Sequence, residues 1–285
     1  MNIKYSLLVL SVLIFMSCSQ KSSGPGGLFS PTYSPDGTKL AYYEYFDGVP
    51  EIMIYSFADA KTLQITPRSG AWSIVPKWSK AGDKLMFSHG QNMMSMDVTI
   101  IDLESGDMDT FERFGTEFSV SWHEKTHIWA NRSLTGISFY RSQNDSPNSY
   151  ELIEVPEFSN YWIYPLNEDG EMLIQVNDTN SYGLYHISGN NEPTLLLKES
   201  GIKNLVFSKD QRFIAFEKTV DDNTDIYIAD MDGSNLKRLT TNEYPDYMPD
   251  FSPDGKTLAF SSARTGTYQI YTIDLESGQL ELLLD

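Results

Sequence analysis

Residues 123–127 read His-Glu-Lys-Thr-His. On a helix, residues four apart share a face, so His123 and His127 could ligate one zinc ion while Glu124 served as general base for peptide hydrolysis. That chemistry requires the helix. Whether the stretch is helical depends on the elements around it.

Those elements repeat. Ser-Pro-Asp-Gly occurs at 34–37 and again at 252–255, each time preceded by an aromatic residue and followed two residues later by Leu-Ala-aromatic. With Tyr33 and Phe251 as anchors, intermediate copies fall at Trp78, Trp122, Leu166 and Phe207, with spacings of 45, 44, 44, 41 and 44 residues. Ile-Asp-Leu-Glu-Ser-Gly, at 101–106 and 273–278, repeats independently, 172 residues apart. Six units of this period fill the chain from Leu28 onward. In the last unit, MPDFS, KTLAFSS, YQIYTID and QLELLL are short runs rich in aromatic and β-branched residues, cut by Pro-Asp-Gly, a Thr-Gly loop and Glu-Ser-Gly. Such runs predict four strands per unit. No amphipathic run of ten or more residues supports a helical repeat. The expected fold is all-β, a six-bladed β-propeller of four-stranded antiparallel blades.

Arg238 to Gly278, RLTTNEYPDYMPDFSPDGKTLAFSSARTGTYQIYTIDLESG, resembles the WD40-like repeats of TolB-type propellers. In those repeats an Arg-Leu-Thr strand precedes a Pro-x-aromatic-Ser-Pro-Asp-Gly-Lys hairpin and an Ile-Tyr strand. DIYIADMDGSNLKRLT, 225–240, resembles them too, and the likeness thins in units three and four. The resemblance implies a propeller used mainly for binding. The α/β domain that precedes the propeller in TolB and the hydrolase domain of prolyl oligopeptidases have no counterpart in this sequence.

Aligned on Trp122, residues 123–126 occupy the place of Ser-Pro-Asp-Gly at 252–255, so the His-Glu-Lys-Thr-His stretch is expected to be a hairpin turn and no zinc site. His89 and His186 belong to other units and supply no third ligand. No G-x-S-x-G elbow is present. Asp230-Met-Asp232-Gly233 lacks the later ligands of a calcium loop and sits at a strand-to-strand turn. No catalytic residue, metal site or cofactor is expected.

At the N-terminus, Lys4 precedes an apolar run from Leu7 to Met16 that is short for a membrane span. Phe15-Met16-Ser17-Cys18 contains the one cysteine of the chain and resembles a bacterial lipoprotein signal, with Phe15 where Leu is usual. The resemblance implies cleavage before Cys18, acylation of that cysteine and anchoring by several acyl chains. The expected organisation is a signal peptide at 1–17, a lipidated Cys18 and flexible Ser/Gly-rich tether at 18–27, and the propeller at 28–285. Ser19 after the cysteine suggests, by resemblance to enterobacterial sorting, the outer membrane with a periplasmic face. The formal charge is −18, and loss of Lys4 makes it one unit more negative. Such acidity disfavours nucleic acid and direct adsorption on anionic lipid. A monomer is expected, touching the membrane through its lipid alone.

In a blade whose innermost strand comes first, loops joining strands two and three share a face with the blade-to-blade connections. These loops are long and aromatic: 67–76, 157–165 and 240–249. Loops on a rigid scaffold commonly carry function. Trp72, Tyr161, Trp162, Tyr244 and Tyr247 are therefore the candidate ligand-binding residues, offering flat apolar area with polar tips; the alternative is that they pack between blades. Two functions remain open. One is an envelope propeller binding a protein or peptide. The other is a glycan lyase or hydrolase at the channel mouth, where Glu243, Asp246, Asp221 and Asp222 are the nearby acids.

Overall fold

The computed structural model describes residues 27–92, 95–111, 116–122, 127–133, 136–143, 146–153, 158, 160–167, 171–178, 180–188 and 192–285. Residues 1–26, Cys18 among them, lie outside the described residues. Every regular element described is a strand, and the strands come in consecutive fours. The first four are β1 (Leu28–Tyr33), β2 (Lys39–Phe46), β3 (Val49–Ser56) and β4 (Lys61–Gln64). The second are β5 (Trp72–Trp78), β6 (Lys84–Asn92), β7 (Ser95–Asp102) and β8 (Met108–Phe111), and the third β9 (Thr116–Trp122), β10 (His127–Ser133), β11 (Gly136–Gln143) and β12 (Ser146–Ile153). Then follow β13 (Tyr161–Pro165), β14 (Met172–Asn177), β15 (Tyr182–Ile187) and β16 (Thr194–Leu197). The last two are β17 (Ile202–Phe207), β18 (Phe213–Val220), β19 (Asn223–Asp230) and β20 (Lys237–Arg238), and β21 (Asp246–Phe251), β22 (Thr257–Ser262), β23 (Gln269–Asp274) and β24 (Leu280–Leu284).

Each four forms an antiparallel meander, the fold of a propeller blade. The sheet count departs from the expected six. There are five sheets, four of four strands and one of eight. The eight-stranded sheet arises because β7 pairs with β9 in parallel at Met96↔Thr116, which joins the second and third meanders.

The turns follow from local chemistry. In Ser34-Pro-Asp-Gly37, Ser34 Oγ donates to Asp36 Oδ1 at 2.6 Å, Gly37 N–H donates to Ser34 O at 2.8 Å, and Gly37 takes φ 72°. Hydrogen bonds from Ser34 first, then from the Thr38 N–H and hydroxyl, hold the Asp36 carboxyl down at about 2. The same Ser–Asp clasp recurs at Ser208–Asp210 and Ser252–Asp254. In Asp102–Gly106 and Asp274–Gly278 the aspartate carboxylate accepts from N–H groups of its own turn. Asp232 Oδ1 likewise accepts from Ser234 N–H at 2.9 Å, so Asp230–Gly233 is a closed turn.

The core lies between meanders. Apolar clusters bridge each successive pair among the described residues, for example Leu173, Leu184, Leu205 and Ile214 between the fourth and fifth. A further cluster joins the last to the first: Leu28, Leu40, Tyr42 and Met53 pack with Ala259 and Ile270. There β1 remains paired with β2 from Leu28↔Glu44 onward, and one backbone hydrogen bond, Leu28 N–H to Tyr268 O at 2.9 Å, crosses the seam. Among the described residues the ring closes by packing, without a shared ladder between the first and last meanders.

Candidate functional site

The innermost strands bring the loop-rich face together around the hub. Five of them carry a bulge at the same place, between Phe29 and Thr32, Ile74 and Lys77, Glu117 and Val120, Lys203 and Val206, and Tyr247 and Asp250. In the bulges of β1, β5, β17 and β21 one residue adopts the left-handed conformation: Ser30, Val75, Asn204 and Met248, with φ between 45° and 56°. For β-branched Val75 this conformation is costly, about 1–3 kcal/mol, and tolerable only where packing dictates it. An extra residue bends the strand and re-aims its N–H groups. β13 has no bulge and pairs with β14 in unbroken register.

Two of the five candidate aromatics join in one continuous system. Tyr247 lies 5.9 Å from Tyr268 between ring centroids, Tyr268 4.6 Å from Phe29, Phe29 5.4 Å from Tyr43 and 5.8 Å from Tyr45, and Tyr45 6.2 Å from Trp72. These separations are those of attractive aromatic pairs. The chain of rings crosses the ring closure, from the last meander through the first to the second. Phe29 and Tyr43 are buried, whereas Tyr45, Trp72, Tyr247 and Tyr268 keep part of their surface exposed. Tyr161 and Trp162 lie elsewhere, packed on Phe139 at 5.7 and 5.5 Å. Tyr244 stands exposed on its loop. Phe29, Tyr43, Tyr45 and Tyr268 escaped the sequence reading because all four lie within or beside strands, where an aromatic reads as core.

The acids of this face divide by burial. Asp246 has no exposed surface; its Oδ1 faces Arg264 Nη2 at 3.2 Å and its Oδ2 accepts from Asn242 Nδ2 at 2.8 Å. Asp225 pairs with Arg238 Nη2 at 2.6 Å and accepts from Thr240 Oγ1 at 3.3 Å. Burial pushes the Asp225 carboxyl up, and Arg238 works against the shift. Thr240 Oγ1 in turn accepts from Ile226 N–H at 3.0 Å. The first meander repeats this clasp, with Thr66 Oγ1 donating to Glu51 Oε2 and accepting from Ile52 N–H. The Arg-Leu-Thr run is therefore a fastener of the outer strand. Glu217, which sequence reading did not single out, is buried beneath the face: Asn204 Nδ2 and Met248 N–H both donate to its Oε1, at 2.7 and 2.5 Å. Burial raises its carboxyl above the usual glutamate range.

Residues 123–126 lie outside the described residues. Their flanks, Trp122 and His127, face each other as partners in antiparallel β9 and β10, and His127 is a strand residue. A second constellation has the residue types of a nucleophilic triad. Ser73, His89 and Asp97 sit opposite one another on β5, β6 and β7, with Ser73 Oγ 3.0 Å from His89 Nδ1. Ser73 has no exposed surface, so its hydroxyl is closed to a substrate and the contact is a cross-strand tie. Among the described residues no group of three His, Cys, Asp or Glu is placed to hold a metal ion.

Residues 198–283 match the family model of the TolB beta propeller domain. The Tol-Pal system protein TolB of Geobacter sulfurreducens is 49% identical over 45 residues, 16% of this chain and 10% of that protein. The first curated relatives are aligned over 13% and 21% of their own lengths. Among solved structures, TolB from Acinetobacter baumannii superposes with a TM-score of 0.67 at 14% identity, covering 90% of this chain and 62% of that one. An oligogalacturonate lyase from Vibrio parahaemolyticus superposes with a TM-score of 0.62 at 11% identity, covering 90% and 92%. At such identities these two are likenesses of fold alone. The repeats and the blade meanders make the chain an all-β propeller, TolB-like in its repeats over residues 198–283.

Proposed function

We propose that this chain is an envelope propeller, held by lipid on Cys18, that binds a protein or peptide on its loop-rich face. The observation that carries the reading is the continuous run of rings from Tyr247 to Trp72. Partly exposed aromatics seated on a buried aromatic base give a rigid apolar surface with polar tips, the composition of a protein-binding hot spot. The likeness to TolB propellers supports a binding role. Of the four acids that an enzymatic reading would use, Asp246 is occupied by Arg264 and Asn242.

The experiment is quantitative capture from envelope extract by the full chain. Trp72→Ala with Tyr247→Ala is expected to lose the captured partner, because truncating interface aromatics commonly costs about 2 kcal/mol or more. Tyr161→Ala with Trp162→Ala is expected to retain it. Equal capture by both folded variants removes the face from the account. Anchoring is tested separately: Cys18→Ala abolishes incorporation of labelled palmitate if Cys18 is the acceptor, and unchanged labelling rules that out.

A further inference from the structure

Glu217 occupies a position that recurs once in each meander, on the second strand: Tyr43, Ser88, Asn131, Gln175, Glu217 and Ser261, spaced 45, 43, 44, 42 and 44 residues apart. Each is paired with a residue of its own innermost strand, as in Phe29↔Tyr43, Ile74↔Ser88, Lys203↔Glu217 and Tyr247↔Ser261. Where the position has a partner in the next blade, the contact needs no charge. Gln175 Nε2 donates to Ile202 O, and Glu217 Oε1 accepts from Met248 N–H as a glutamine oxygen would. Glu217 is the one carboxyl of the set.

Among the described residues its carboxyl has no ion-pair partner in contact; Lys203, opposite it on β17, offsets the burial only from a distance. The residue is 2% exposed. Both hydrogen bonds go to Oε1, and among the described residues Oε2 accepts none and no cation lies within ion-pair distance. A buried carboxylate in this condition is unfavourable unless a cation reaches it. The surroundings suit an organic cation. The Glu217 charge is felt by the phenols of Tyr43, Tyr164 and Tyr247, which come from three other meanders, so the carboxylate lies where blades converge. Tyr43 and Tyr247 are themselves members of the aromatic run. A carboxylate beside aromatic rings is the pairing that recognises an ammonium or guanidinium group.

We propose that Glu217 is the seat for a cationic group of the bound partner, a lysine, arginine or free amino terminus entering the hub from the aromatic face. The proposal rests on the binding role argued above and names the chemistry of the partner. Asn204 and the Met248 N–H orient the carboxylate, and the rings of Tyr43 and Tyr247 surround the incoming cation.

The test uses butylammonium and butylguanidinium as side-chain mimics and pentanol as the neutral mimic, with binding to the full chain followed by NMR titration. Saturable binding of the two cations is expected, with pentanol weaker by about tenfold or more. Glu217→Gln keeps the acceptor for Asn204 and Met248 and should lose that advantage. Equal cation binding by wild type and Glu217→Gln, or pentanol binding as well as butylammonium, overturns the proposal. If Glu217→Gln fails to fold, the wild type decides alone. With Lys203, Tyr43, Tyr164 and Tyr247 the ionisable groups around it, butylammonium binding should fall as pH drops through a point above the ordinary glutamate range. Binding by folded protein that is flat through that interval overturns the proposal. Capture that depends on Trp72 and Tyr247 while Glu217→Gln binds butylammonium normally removes the cation seat and keeps the face; the opposite pair of results keeps the seat and removes the face.

Discussion

The seam between the fifth and sixth meanders and the seam between the sixth and first both bury apolar clusters but differ in the polar contacts beside them. At the first, polar and directional contacts are many. Asp225 with Arg238, Asp246 with Arg264 and Asn242, and Glu217 with Met248 N–H lie along it. Asn223 Nδ2 also donates to Asn242 O at 2.8 Å. The second is mainly apolar: Phe29 against Tyr268, and Leu28, Leu40, Tyr42 and Met53 against Ala259 and Ile270. Few polar contacts cross it, chiefly Tyr33 N–H to Asp250 Oδ2 at 2.9 Å and Leu28 N–H to Tyr268 O. Chain continuity accounts for the difference. Residues 239–245 tie the fifth and sixth meanders together, so hydrogen-bonding groups there meet already in register. The closing seam has no such tether, and non-directional burial of apolar surface tolerates the search that brings distant segments together.

If burial closes the ring, the largest effect should come from its centre. Phe29→Ala is expected to destabilise the protein by about 4 kcal/mol, the loss typical of a buried aromatic truncated in a core, measured by urea unfolding. A loss below 1 kcal/mol would mean that the polar contacts hold that seam. At the other seam, Arg264→Ala leaves Asp246 buried without its cation and should cost about 3 kcal/mol. Adding Asp246→Asn should recover most of this, since the charge is then gone. A double variant as unstable as the single one would show that Arg264 acts by packing on Tyr271, whose ring lies 4.4 Å away.

Glu217→Gln sharpens the contrast with a change of opposite sign. Burial raises the folded carboxyl above its unfolded value, so the folded state holds the proton more tightly. The group therefore favours folding at pH below the ordinary glutamate range, and that contribution is lost as pH rises through the raised value. At pH 7 the glutamine variant should be more stable by about 1 kcal/mol. The gain should vanish near pH 4, which thermal unfolding at the two pH values would show. The smallest effect belongs to the equivalent position at the closing seam. Ser261 Oγ is buried without a hydrogen-bond partner, so Ser261→Ala should change stability by less than about 0.5 kcal/mol, in the stabilising direction. A clear destabilisation would reveal a hydrogen bond at that hydroxyl.

The elements of the fold were legible in sequence because their causes are local. Ser34, Asp36 and Gly37 complete their turn within a few residues, Asp274 caps its own, and strand lengths follow from the residues between such turns. Each copy of the repeat restates the same instruction, and the anchors Tyr33, Trp78, Trp122, Phe207 and Phe251 all end an innermost strand. The same locality argued against a helix at the second histidine, and His127 is a strand residue. The joining of the second and third meanders into one sheet was not legible, since a single parallel bridge between Met96 and Thr116 leaves no pattern in either strand.

The composition of the face was decided only by tertiary structure. Trp72 and Tyr247 were identifiable as loop aromatics, but nothing in the sequence told them from Tyr161 and Trp162, which pack on Phe139. The separation depends on where each bulge turns its strand and on how the ring closes. Tyr33 and Asp250, in contact across the closure, are 217 residues apart in the chain. Glu217 was hidden for a related reason. In a chain with 39 acidic residues, one more glutamate on a strand carries no mark. Its distinction is burial against the bulge of the next blade, and burial is a property of the assembled ring.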